Sequence, residues 1–170
     1  NGRMYFAPEF STLTRWAERS DGWVGDTRGL HLSCEEACFE VAIRSPYVVV
    51  GGRADLAFQL GSSDTVQVSV SRDGEDWQSL CVPSGAEPSI DLDPAFSHDS
   101  PATYEYSIRV CVSSDAPDDF LLTGLAIETD VQMAPLSLPA LEVGENRVCY
   151  TSESGGDVSI THAWEERDSD

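Results

Sequence analysis

A chain of 170 residues, 41% of them apolar, is long enough to bury one sandwich-sized core and too apolar to be disordered. Thirty Asp and Glu stand against ten basic residues, all of them Arg, for a net charge of −20. A field of that sign argues against nucleic acid and membrane as partners, and against sulfated or uronic polysaccharides unless Ca²⁺ bridges or salt screens the charges. Excess carboxylate without Lys fits a protein from a salty habitat, or a high-GC codon bias.

No stretch approaches the roughly 18 apolar residues that span a bilayer. The first residues, "NGRMYFAPEF", lack a basic-then-apolar leader pattern, and the last, "THAWEERDSD", form a polar run. The expectation is a module cut from a longer, exported polypeptide.

In chain order, "STLTRWAERSDGW" reads as a loop or a short helix capped by Ser11, because its apolar positions end at Asp21-Gly22. "LHLS", "SCEEAC" and "FEVAIR" then read as strand, hairpin loop and strand, and a Cys34–Cys38 disulfide could close the loop; two free thiols are the alternative. Phe39, Val41 and Ile43 alternate with polar or small residues. In "SPYVVVGG" every position from Tyr47 to Val50 is apolar, which predicts a central strand covered on both faces, entered by a Pro and left by a Gly pair.

Further alternating runs follow at Leu56, Phe58 and Leu60 and at Val66, Val68 and Val70. Between the last of these and Leu80–Val82 lies "SRDGEDW", whose Asp73-Gly74 supplies hairpin-turn chemistry, with Trp77 packing over the turn. Tyr104, Tyr106, Ile108, Val110 and Val112 form the longest run, and Leu125, Ile127, Thr129 and Val131 the next. Past Met133, Val148 with Tyr150, and Val158, Ile160, His162 and Trp164, predict a strand pair too small for a core of its own.

Strand parity also sorts the other cysteines. Cys111 shares the non-core face with Glu105, Ser107 and Arg109, and Cys81 shares its face with Trp77 and Ser79. A Cys81–Cys111 disulfide across that face is therefore permitted, with Cys149 as the odd thiol.

Sequence signatures of enzymes are missing: there is no G-x-S-x-G, no H-E-x-x-H, no phosphate loop and no dinucleotide fingerprint. His31, His98 and His162 are scattered, and no catalytic residue is assigned. "DLDPAFSHD" (Asp91, Asp93, Asp99) and "SSDAPDD" (Asp115, Asp118, Asp119) offer oxygen ligands but read better as solvated turns. Aromatics give the other route to function, since indole faces stack on the CH face of sugars with polar groups at the rim. Trp16 and Trp23 are expected to be the exposed pair, with Arg15, Arg19 and Arg28 nearby, whereas Trp77 and Trp164 are expected to pack. Arg109 is either a ligand-face residue or a partner of Glu105.

"VSVSRDGEDWQSL" resembles the strand, S-x-D-G-x-x-W turn and return strand of discoidin-type, galactose-binding-like sandwiches. "LPALEVGENRVCY" resembles the L-x-x-G-x-N-x-V lead into a strand of jelly-roll domains in glycoside hydrolases, and the order of the motifs resembles modules attached to large exported polysaccharide-degrading proteins. The resemblance implies sugar binding through end loops or the concave sheet, and a structural Ca²⁺ near the first strand, for which Glu9 with Asp21 and Asp26 are the candidates. The C-terminal strand pair departs from a minimal discoidin module.

The sequence thus predicts an all-β, antiparallel jelly-roll sandwich over 1–132, with a strand pair over 133–170 packed on it or leading into a following domain. The expected function is a non-catalytic carbohydrate-binding module, secreted or at the cell surface, that targets a larger exported enzyme to its polysaccharide. The alternatives are a spacer or adhesion domain without a small ligand and, behind that, a lyase or hydrolase domain.

Overall fold

The computed structural model describes residues 2–61, 63–81, 86–96, 101–132 and 158–161. The expectations placed on His98, Asp99, Cys149, His162, Trp164 and a strand at 148–150 lie outside the described residues, as does the side chain of Cys81.

Alternation of apolar and polar side chains builds the strands, and a single 24-residue strand organises them. Strand β1 (Gly2–Phe6) leads through one helical turn, α1 (Leu13–Trp16), to three short strands: β2 (Arg19–Asp21), β3 (Trp23–Gly25) and β4 (Leu30–Leu32). The long strand β5 (Glu36–Gln59) follows, then β6 (Thr65–Ser71), β7 (Gln78–Cys81) and β8 (Ser89–Asp91). Strands β9 (Thr103–Ser113), β10 (Leu121–Gln132) and β11 (Val158–Thr161) complete the described elements.

The protein is an all-β antiparallel sandwich, and β5 belongs to both of its layers. Residues 36–44 of β5 pair with β9, which passes on to β6 and β7, while β2 lies on the other side. Residues 48–59 pair with β10, which passes on to β1 and β11, and residues 53–55 of the same strand pair with β8. The inward set switches accordingly, from Ala37, Phe39, Val41 and Ile43 to Ala54, Leu56 and Phe58. A change from odd to even positions requires an irregularity, and the pairing register shifts between Arg44 and Val49.

The glycine pair lies within this corner. Gly52 has φ +152°, and a Cβ there would stand 2.2 Å from the Glu128 carbonyl oxygen, so no other residue fits. Asp93 Oδ1 accepts the Gly52 N–H at 2.9 Å. "VVVGG" is therefore a corner inside one strand rather than the end of one. Val49 is 4% exposed, Tyr47 and Val48 are half-buried and Val50 is 37% exposed, so the expected cover on both faces is corrected to full cover at Val49 only.

One apolar cluster fills the space between the layers, drawing on β5, β6, β9 and β10. Its aromatic spine runs Trp16–Phe39–Trp23–Phe120–Phe58, with ring centroids 5.5–5.8 Å apart and mostly edge to face. Across the layers, the hydroxyls of Tyr106 on β9 and Thr129 on β10 meet at 2.6 Å.

The disulfide pairing differs from both expected bridges: Cys38 is bonded to Cys111. These residues stand directly opposite each other on β5 and β9, with Cα atoms 4.2 Å apart. Cys34 precedes β5 as an exposed free thiol whose Sγ lies 2.9 Å from the Glu36 carbonyl oxygen. Cys81 is on β7, with β6 between it and β9. Two strand spacings, about 9.5 Å, exceed the Cα separation a disulfide can close.

Candidate functional site

The turn between β6 and β7 is built from its own side chains. Ser71 Oγ accepts the Gly74 N–H at 2.9 Å and donates to Asp73 Oδ1 at 3.0 Å, and that oxygen accepts the N–H groups of Glu75 and Asp76, each at 2.9 Å. Those last two N–H groups, of Asp76 and then Glu75, together with the Ser71 hydroxyl, hold the Asp73 carboxyl below its ordinary range. Gly74 takes φ +78° with open space around it, so glycine is there for its backbone freedom alone.

This turn delivers Trp77, half-buried, to the start of β7. The guanidinium carbon of Arg109 stands 3.6 Å from the centroid of its ring. Arg109 is held in turn by Glu40, its cross-strand partner on β5, whose Oε1 accepts from Nε at 2.9 Å and Nη2 at 2.8 Å. The expected partner Glu105 instead meets Arg44 at 2.8 Å.

Beside the turn a cleft of about 500 Å³ opens, lined by Arg72, Asp73, Asp76, Trp77 and Gln78 together with Val70 and residues 95 and 101–103. Arg109 is absent from that lining. A flat indole, a guanidinium, carboxylates and an amide around one open cleft can stack on an apolar ring face and hydrogen-bond its hydroxyls. A second cleft, of about 410 Å³, flanks the disulfide between Glu36, Thr65, Gln67 and Ser113.

The expected exposed pair is buried. Trp16 and Trp23 are 7% and 6% exposed, because both pack edge to face on Phe39. The indole N–H of Trp16 donates to the Glu9 carbonyl at 3.0 Å, so the loop folds inward and seals the core. Neither ring offers a face to a ligand, which corrects the expectation. Arg15 is exposed on α1, and Arg28 is exposed and paired with Asp26 at 3.2 Å. Of the residues expected to bind ligand, only Arg109 lies beside Trp77.

Glu9, Asp21 and Asp26 do not come together; among the described residues no three His, Cys, Asp or Glu side chains form a metal-holding group. Asp21 is engaged by Arg19. Asp26 Oδ1 accepts the Arg28 N–H at 2.7 Å and the Gly29 N–H at 3.2 Å, while its Oδ2 lies 3.0 Å from His31 Nε2. The Arg28 N–H first, then His31, the Arg28 guanidinium and the Gly29 N–H, bring the Asp26 carboxyl down to about 2.

Trp77, expected to pack, is half-buried and lines the cleft. Parity already placed Trp77 and Arg109 on non-core faces, so the missing piece was the register that brings β6, β7 and β9 side by side.

No protein-family model and no curated protein matches the chain. Among solved structures the chain is similar to that of TmCBM61 in complex with beta-1,4-galactotriose. The match has 15% identity over 75% of this chain and 78% of that chain, with a TM-score of 0.35.

Proposed function

We propose that the protein is a non-catalytic carbohydrate-binding module whose ligand lies in the cleft beside Trp77, and that it serves to hold a larger exported enzyme on its polysaccharide. The observation that carries this reading is the cleft itself, where an aromatic wall meets Arg72, Asp76 and Gln78. Sugar rings present an apolar CH face and a hydroxylated rim, and this lining offers a match for both. A net charge of −20 favours neutral glycans over uronic or sulfated ones. One shallow contact of this kind binds modestly and gains from repetition along a polymer.

Affinity electrophoresis of the chain through gels containing neutral polysaccharides, with and without Ca²⁺, tests the reading. Retardation in at least one gel is expected, at least about tenfold weaker for Trp77→Ala and unchanged for Arg15→Ala and Arg28→Ala. If wild type is retarded in none, the spacer or adhesion reading replaces this one. Dependence on Ca²⁺ would restore a structural metal outside the three carboxylates named above.

A further inference from the structure

We propose that Glu40 and Arg109 are positioning residues, a clamp that sets the plane of the Trp77 indole and so shapes the cleft; this rests on the reading of that cleft as the ligand site. Trp77 follows a turn and immediately precedes the short strand β7, which among the described residues pairs with β6 alone, so its backbone by itself fixes the ring poorly. What the ring does have is a cation at 3.6 Å from its centroid. That cation is itself immobilised, with Nε and Nη2 both on Glu40 Oε1, at 2.9 and 2.8 Å.

Three further features make the pair a clamp rather than a passing surface contact. The side chains of Arg109 and Glu40 are only 29% and 17% exposed, so salt screens them less than an open ion pair. Glu40 and Arg109 are directly opposed on β5 and β9, and two residues along both strands the Cys38–Cys111 bridge locks the same register. Arg19 Nη1, at 3.8 Å from Glu40 Oε1, adds a second positive charge on the anchor. Because Arg109 does not line the cleft, it acts through the indole and not on the ligand. A guanidinium can lie flat on a ring while donating in its own plane, whereas an ammonium cannot, so lysine is not an equivalent clamp.

The test is ¹⁹F NMR of the full chain labelled with 5-fluorotryptophan, the Trp77 line being assigned with Trp77→Phe. In Arg109→Gln and Glu40→Gln the Trp77 line is expected to move and broaden while the Trp16 and Trp23 lines stay in place. Arg109→Lys is expected to restore the line only in part. Retardation by whichever neutral polysaccharide binds wild type should weaken roughly fivefold to tenfold in Arg109→Gln. An unmoved Trp77 line in both Arg109→Gln and Glu40→Gln would overturn the clamp, as would a common shift of all tryptophan lines, which marks a general structural role. The spectrum needs no glycan: a wild type that binds none while its Trp77 line responds refutes the ligand reading alone, and a binding wild type with an unresponsive line refutes the clamp alone.

Discussion

The Arg109 guanidinium lies over the Trp77 ring, with its carbon 3.6 Å from the centroid, on the sheet face that points away from the core. Trp16 and Trp23 sit on the other side of the same sheet, against Phe39. The three described tryptophans thus divide into two buried in the core and one on the outer face, and stability separates them. Trp16→Ala and Trp23→Ala should each cost about 3–5 kcal/mol by emptying the core. Trp77→Ala should cost about 1 kcal/mol, since it loses a partly exposed stack. Urea unfolding of the three variants checks this, and equal losses would contradict the division.

The bridge between Cys38 and Cys111 closes a separation of 73 residues. Constraint of the unfolded chain by a loop of that length contributes about 4 kcal/mol. Cys38→Ser or Cys111→Ser should lose stability of that order, and Cys34→Ser almost none. Non-reducing peptide mapping should recover the Cys38–Cys111 pair with Cys34 alkylated. Recovery of Cys34–Cys38 or Cys81–Cys111 would refute the register of β5 against β9.

Tyr106 and Thr129 are each 1% exposed and share one hydrogen bond across the layers. Burial pushes the Tyr106 phenol well above its ordinary range, so it stays protonated and can donate. Tyr106→Phe leaves the Thr129 hydroxyl buried without its partner, which costs about 1–3 kcal/mol. Adding Thr129→Val should recover part of that loss. A double-mutant cycle with strictly additive costs would show that the pair is not coupled.

Acid should act through Asp26 and Asp73, whose carboxyls are held down by local N–H donors. A group whose pKa is lower folded than unfolded stabilises the fold above its unfolded value and loses that contribution as pH falls through its folded value. For Asp26 this window runs from 3.8 down to about 2. Asp26→Asn keeps a carbonyl for the Arg28 N–H but cannot titrate. Its thermal midpoint should therefore fall less steeply than that of wild type between those two values, and parallel acid limbs would contradict the assignment.

The layered fold was legible because period-two alternation survives at nearly every strand, from Val66–Val68–Val70 to Tyr106–Ile108–Val110. What alternation does not encode is which strand lies beside which. Cys111 was placed on the correct face, yet only the β5–β9 register reveals Cys38 as its neighbour and Glu40 as the neighbour of Arg109. A strand that changes layer at Gly51 and Gly52 likewise reads, in one dimension, as two strands with a break. Trp16 and Trp23 misled for a different reason: polar neighbours such as Arg15 and Asp21 suggest a solvated loop, but the short strands β2 and β3 fold that loop back onto Phe39. The turn "SRDGEDW" is the hairpin its Asp73-Gly74 predicts, but its tryptophan lines a cleft under Arg109, a placement that needs the β6–β9 register.

The indole region of the ¹H–¹⁵N spectrum during titration with a neutral polysaccharide that retards the chain tests the central claim most directly. The account predicts that the Trp77 Nε1–H peak moves with saturation while the Trp16 and Trp23 peaks stay fixed. Movement of the Trp16 or Trp23 peaks with Trp77 unchanged, or no movement of any, would contradict a ligand site beside Trp77.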